Sequence, residues 1–251
     1  MALVVIGGVA AGLSAAARAR RIDRSLEILV LERGAEISWA ACGLPYYVEG
    51  RVTALEELVV YTPERFERER NIRVRTRAEV VAISHARREV ILSGGERLRY
   101  DRLVLATGAR PRLDGIAGLP QPNAFTLHTL EDARRLREFL EARRPRRAVV
   151  VGAGYIGLEA VEALRTQGLS VTLLDAGGMI AGRDDNFLVR AVCRHLERFR
   201  VTYVPHQTVR AVEPDRVAGF PCDLVVLATG LKPNVELAQD AGVQIGPTGA
   251  I

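Results

Sequence analysis

Short apolar runs of strand length recur along this chain, separated by stretches in which small and apolar residues return at helical spacing. Residues 3–6 and 28–31 are such runs, and the small residues between Gly12 and Arg21 predict a helix joining them. Residues 79–83, 89–92 and 98–105 predict further strands, the last ending at Ala106-Thr107-Gly108. Thr129 to Arg143 predicts a helix: Thr129 can cap it, Asp132 follows at the third helical position, and Ala133, Leu136 and Leu140 fall on one face. The Pro/Gly-rich stretch 111–122 is the strongest linker signal. Strands alternating with helices predict an α/β fold with parallel sheets covered by helices.

Two segments follow one plan. The first runs from Leu3-Val4-Val5-Ile6-Gly7-Gly8-Val9-Ala10-Ala11-Gly12, through Ile28-Leu29-Val30-Leu31-Glu32, to Leu103–Gly108. The second runs from Val149-Val150-Val151-Gly152-Ala153-Gly154-Tyr155-Ile156-Gly157, through Val171-Thr172-Leu173-Leu174-Asp175, to Leu224–Gly230. Each gives a strand, a Gly-rich turn, a helix, a second strand ending in an acid, and an Ala-Thr-Gly strand end. In such a unit the turn lets the backbone approach a pyrophosphate while the helix N-terminus supplies N–H groups, and the acid reaches ribose hydroxyls. Gly152, Gly154 and Gly157 fit the dinucleotide fingerprint fully; in the first copy Val9 takes the place of the middle glycine. Two dinucleotide sites in one chain point to electron transfer between nucleotides.

Composition narrows the picture. At 251 residues the chain suffices for one large or two ordinary domains. No apolar run approaches the length of a membrane span, and no signal peptide opens the chain, so a soluble cytoplasmic protein is expected. The net charge is +5 and Lys232 is the only lysine. The basic clusters at residues 18–21 and 143–147 lack an aromatic-rich basic stripe beside them, so no nucleic-acid partner is expected. Three cysteines, Cys42, Cys193 and Cys222, are too few for a disulfide scaffold and lack metal-ligand spacing; no metal is expected. Cys193 and Cys222 read as small buried apolar residues. Cys42 has no second cysteine nearby, so a redox role for it requires an external thiol or oxygen.

Several stretches together resemble the single-cysteine, coenzyme A-disulfide reductase branch of the FAD-dependent pyridine nucleotide-disulfide oxidoreductases. They are Gly7–Gly12, Ser38 with Cys42-Gly43-Leu44-Pro45-Tyr46, Tyr61-Thr62-Pro63-Glu64, Thr107–Pro111, Gly152–Gly157 with Glu159, and Ala228–Asn234. The resemblance implies two Rossmann-like dinucleotide-binding domains of the glutathione-reductase type. An FAD domain would begin at residues 1–112, an NAD(P)H domain would occupy 113–238, and 239–251 would start the return to the FAD domain. A C-terminal dimerisation domain, which makes the relatives homodimers, is expected to be absent.

The resemblance also assigns roles. FAD would lie on Gly7, Gly8, Gly12, Glu32 and Arg33, with Thr107, Gly108 and Arg110 close by and Val81 at the adenine end. NADH would lie on Gly154, Ile156, Gly157 and Asp175, beside Gly230, with Tyr155 and Glu159 near the nicotinamide. Asp175 would repel a 2′-phosphate, so NADH is expected over NADPH, with Arg183 the nearest cation to soften that preference. Ser14, Arg18, Arg21, Ser38 and Arg70 would contact coenzyme A. The implied activity is reduction of coenzyme A disulfide or persulfide at Cys42. The alternatives are an NADH oxidase or peroxidase, disfavoured because Ala10 stands where those enzymes carry histidine, and a non-catalytic nucleotide-binding fragment.

Overall fold

A computed structural model describes residues 1–183 and 186–251. The chain divides into two compact units, one of residues 1–40, 58–110 and 232–251, the other of residues 41–57 and 111–231.

The first unit is built on four parallel strands, β1 (Ala2–Ile6), β2 (Glu27–Leu31), β3 (Arg73–Arg75) and β7 (Arg102–Leu105), in the order β3-β2-β1-β7. Leu3 to Ile6 are all buried, as a strand covered on both faces requires. Its residues alternate between two cores. Leu3 and Val5 join Ile28 and Val30 against Leu13 and Ala16 of helix α1 (Ala10–Ile22) and Phe66 of helix α3 (Pro63–Arg70). Val4 and Ile6 join Leu31 against Val90 and Leu92 of a three-stranded antiparallel sheet, β4 (Val80–Ser84), β5 (Glu89–Leu92) and β6 (Arg97–Arg99). Each fully buried Val or Leu contributes about 1.5–3 kcal/mol. The stretch 98–105, expected as one strand, is two: Tyr100 and Asp101 separate β6 from β7, because the chain leaves the antiparallel sheet there to enter the parallel one. Residues 232–251, with helix α7 (Glu236–Asp240), belong to this unit, where Leu237 packs on the second core.

The second unit carries five parallel strands: β9 (Ala124–Phe125), β10 (Arg147–Val151), β11 (Ser170–Asp175), β12 (Thr202–Pro205) and β15 (Leu224–Leu227), in the order β12-β11-β10-β15-β9. Helix α4 (Leu130–Arg143) has the expected capping box, Asp132 N–H donating to Thr129 Oγ1 and Thr129 N–H to Asp132 Oδ2, both at 3.1 Å. Its buried residues are Leu130, Ala133, Leu136 and Leu140. Helix α5 (Tyr155–Thr166) follows the Gly-rich turn, and α6 (Asn186–Arg198) precedes β12. A hairpin of β13 (Arg216–Val217) and β14 (Phe220–Pro221) covers one face of the sheet.

The 111–122 stretch is no free linker: Leu113, Ile116 and Leu119 pack against the hairpin-side core, and Gly118 approaches Val212 O so closely that a Cβ would stand 2.1 Å from it. Residues 41–57, with helix α2 (Leu44–Glu49), group with the second unit because α2 packs on α4 and α5.

Candidate functional site

Both Gly-rich turns have one geometry. Gly7 and Gly152 take positive φ values, +109° and +105°, and a Cβ on either would stand 2.1 or 2.3 Å from the carbonyl oxygen of Ala106 or Ala228. Gly12 and Gly157 face back onto the turn, where a Cβ would stand 1.9 Å from the oxygen of Gly7 or Gly152. These four glycines therefore let strand, turn and helix close on one another. Gly154 differs: its backbone is extended, it caps α5, and nothing lies within 4 Å of where its Cβ would be. That open cradle at a helix N-terminus fits a pyrophosphate approaching the backbone. The matching cap of α1 is Val9, so the first turn presents a side chain there.

The two acids also match. Glu32 Oε2 accepts from Gly8 N–H at 2.6 Å and Oε1 from Gly34 N–H at 2.7 Å; Asp175 Oδ2 accepts from Ala153 N–H at 3.0 Å and Oδ1 from Gly177 N–H at 2.9 Å. Each carboxylate thus sits beside its turn and keeps lone pairs for a further donor. Arg33 is exposed next to Glu32, and Val81 is 52% exposed at an irregularity of the β4–β5 register.

The Ala-Thr-Gly end of the first unit is tied to the returning chain. Thr107 Oγ1 donates to Asn234 O, Asn234 Nδ2 donates to Thr107 O at 2.8 Å, and Asn234 N–H donates to Gly108 O at 2.9 Å. Arg110 donates to Asn234 Oδ1 at 2.7 Å and pairs with Glu236. Hydrogen bonding from Arg110 holds the Glu236 carboxyl down at about 2. Asn234 and Glu236 were not anticipated as partners of this segment, although Asn234 closes the stretch that carried the resemblance.

In the second unit a cleft of about 190 Å³ opens beside the turn, lined by Gly154, Tyr155, Ile156 and Gly230 together with Leu127 and His128. Tyr155 is 69% exposed at the first position of α5. Four anticipated residues thus meet in one cleft. Leu127 and His128 were missed; they follow a two-residue strand, too short for periodicity to mark its end. Glu159 lies one turn along α5 with its carboxyl only partly desolvated, which, with the Glu162 charge, raises it.

Ser14, Arg18 and Arg21 are exposed along α1, spaced to share a face. Arg20, between them, is turned inward onto the carbonyls of Arg24 and Asn71, each at 2.7 Å. Ser38 takes a left-handed conformation (φ 50°), donating its N–H to Gly8 O at 3.0 Å. Arg70 donates to Tyr61 Oη at 2.9 Å. All of these lie in the first unit, whereas Cys42 lies in the second. Cys42 is exposed in a short 3₁₀ turn, Ala41–Gly43, leading into α2. Cys193 is half-buried with its thiol pushed up by burial, and Cys222 is buried, its thiol pushed up to about 11.

Among the described residues no helix is long and apolar enough to cross a membrane, and no group of three or more His, Cys, Asp or Glu could hold a metal ion.

Residues 1–251 match the family described as pyridine nucleotide-disulphide oxidoreductase. A CoA-dependent NAD(P)H sulfur oxidoreductase of Pyrococcus abyssi is 40% identical over 99% of this chain and 58% of its own length. Among solved structures, an NAD-dependent persulfide reductase from A. fulgidus is 40% identical with a TM-score of 0.94, over 100% of this chain and 49% of that one. The water-forming NADH oxidase from Lactobacillus brevis, bound to NADH, is 27% identical with a TM-score of 0.89, over 100% of this chain and 58% of that one. The chain thus spans a little over half the length of the curated relative it matches.

Proposed function

The chain belongs to the pyridine nucleotide-disulphide oxidoreductase family, and from that premise we propose that it serves NADH-dependent, FAD-linked reduction of coenzyme A disulfide or persulfide at Cys42. The observation that carries this reading is the exposure of Cys42 alone among three cysteines, in the segment that resembles the single-cysteine reductases. The names of the Pyrococcus and A. fulgidus relatives support a sulfur substrate.

The first unit's turn, with Glu32, would hold the ADP part of FAD, and the cleft at Gly154–Ile156, with Asp175, would hold NADH. FAD, when bound, would supply a two-electron relay between nicotinamide and sulfur. The protein's own chemistry centres on Cys42. Its thiolate attacks one sulfur of the disulfide, forming a mixed disulfide and releasing one coenzyme A thiolate. Two electrons from NADH then cleave that bond, returning the Cys42 thiolate and a second thiolate, and protonation yields two thiols per disulfide. Arg18, Arg21 and Arg70, exposed cations, suit the phosphates of coenzyme A.

Comparing the chain with its Cys42→Ser variant, supplied with FAD, NADH and coenzyme A disulfide, tests this reading. Thiol release should vanish in the variant while NADH binding persists. Undiminished thiol release from Cys42→Ser would overturn it, and NADH consumption driven by oxygen without a disulfide would favour the oxidase reading.

A further inference from the structure

The segment bearing Cys42 is gripped at its far end by one arginine. Helix α2 ends at Gly50, whose left-handed conformation (φ 91°) turns the chain back, with Arg51 N–H and Val52 N–H both donating to Tyr46 O. The carbonyls of Tyr47, before that turn, and of Val52 and Thr53, after it, converge on Arg137 of α4. Its Nη1 lies 3.2, 3.0 and 3.3 Å from them. The same guanidinium lies over the Tyr47 ring, 4.5 Å from its centroid, within cation–π range, and its Nε donates to Glu141 at 3.0 Å. Gln167, just beyond α5, adds a fourth carbonyl contact, donating from Nε2 to Glu49 O at 2.6 Å.

Arg137 is set apart from its neighbours on α4. Its side chain is 22% exposed, whereas Arg134 and Arg135 face outward. A planar fork of donors can serve several carbonyls and a carboxylate while its face covers an aromatic ring, which a single ammonium cannot reproduce. At the other end of the segment, Gly43, Leu44, Pro45 and Val48 are buried while Cys42 is exposed. The thiol is therefore exposed at one end of a short segment whose opposite end is hydrogen-bonded to α4.

We propose that Arg137 is a positioning residue for Cys42: by clamping the end of α2 onto α4, it makes the cysteine segment part of the nucleotide-binding unit and fixes where the thiol is presented. The inference rests on the reading of Cys42 as the redox sulfur, but its test needs no turnover.

The full chain is compared with Arg137→Met, Arg137→Lys and Gln167→Ala by two measurements. One is amide hydrogen exchange. The other is alkylation by iodoacetamide across a pH series, resolved by peptide mass so that Cys42 is read separately from Cys193 and Cys222. In Arg137→Met, exchange of the amides of 44–53 should rise by about tenfold or more, the three carbonyls having lost a charged donor, while α5 keeps its protection. The pH midpoint of Cys42 alkylation should also move, because a thiolate responds to the donors and charges around it. Arg137→Lys should restore the midpoint part way, and Gln167→Ala should loosen 44–53 less than Arg137→Met. Should Arg137→Met fail to fold, the lysine and Gln167 variants carry the same comparison with wild type. Wild-type exchange and an unmoved midpoint would overturn the proposal, as would a rise in exchange spread evenly over α4 and α5. A Cys42 that shifts in this way yet proves dispensable for disulfide reduction would refute the functional reading and leave the positioning role standing.

Discussion

Asp175 and Ala153 are joined by a hydrogen bond of 3.0 Å, from the turn's N–H to the carboxylate at the end of the next strand. The first unit repeats it between Gly8 and Glu32 at 2.6 Å. In both units the chain's own N–H groups hold the acid against its Gly-rich turn, at the place where the proposed function puts the ribose hydroxyls. Asp175→Ala should therefore weaken NADH binding by removing the ribose acceptor and freeing the N–H groups of Ala153 and Gly177. It should also bring NADH and NADPH closer in affinity, since a 2′-phosphate no longer meets a carboxylate. Titrations of both nucleotides against the chain and the variant check this; an unchanged ratio would show that Asp175 does not face the 2′ position.

The glycines of the second turn should divide into two classes. Gly154→Ala meets open space at an extended backbone, so the fold should tolerate it while nucleotide binding falls by roughly tenfold or more, the added methyl standing where phosphate approaches. Gly157→Ala drives a Cβ to within 1.9 Å of Gly152 O and should destabilise the unit by several kcal/mol, on the order of the largest single-substitution effects. Thermal unfolding and nucleotide titration of both variants separate the classes.

The three cysteines should react in a fixed order. Cys42 is exposed, Cys193 is half-buried with a raised thiol, and Cys222 is 2% exposed with its thiol pushed up to about 11. Iodoacetamide at neutral pH should label Cys42 first, Cys193 slowly and Cys222 only on unfolding, as peptide mass spectrometry would read. Early labelling of Cys222 would contradict the burial.

The pair Arg110–Glu236 gives the first unit an acid-sensitive contact. The Glu236 carboxyl is depressed from 4.5 to about 2, so its stabilisation is present above the unfolded value and is lost as pH falls from about 4.5 towards about 2. Both partners are substantially exposed, so the effect is small and shrinks with added salt. Glu236→Gln should flatten the acid limb of a stability–pH curve at low salt and change little at neutral pH.

What the sequence made legible were features encoded locally. The two turns, their acids, the capping box of Thr129 and Asp132, and the strand runs at 3–6 and 28–31 are each marked by residue types at a fixed spacing along the chain, and each lies where expected. What escaped were contacts between distant segments. Nothing in Leu44-Pro45-Tyr46-Tyr47-Val48 announces that it packs on α4 and α5, and Arg137 is one arginine among many until its guanidinium meets Tyr47 O and Val52 O. Pro and Gly at 111–122 marked irregular backbone, but the stretch is not the linker they suggested, because Leu113, Ile116 and Leu119 pack over the core. The cleft shows the same division: Gly154 to Ile156 were evident from the fingerprint, whereas Leu127 and His128 arrive from another strand end.

If Cys42 carries the sulfur chemistry, the first half-reaction needs neither flavin nor nicotinamide. Incubating the reduced chain with coenzyme A disulfide, then digesting it without reductant, should yield a coenzyme A adduct on the Cys42 peptide. One equivalent of free coenzyme A should be released, with no adduct on the Cys193 or Cys222 peptides. An unmodified Cys42 peptide after full exposure to the disulfide, or an adduct formed equally well at Cys193, would rule out that role for Cys42.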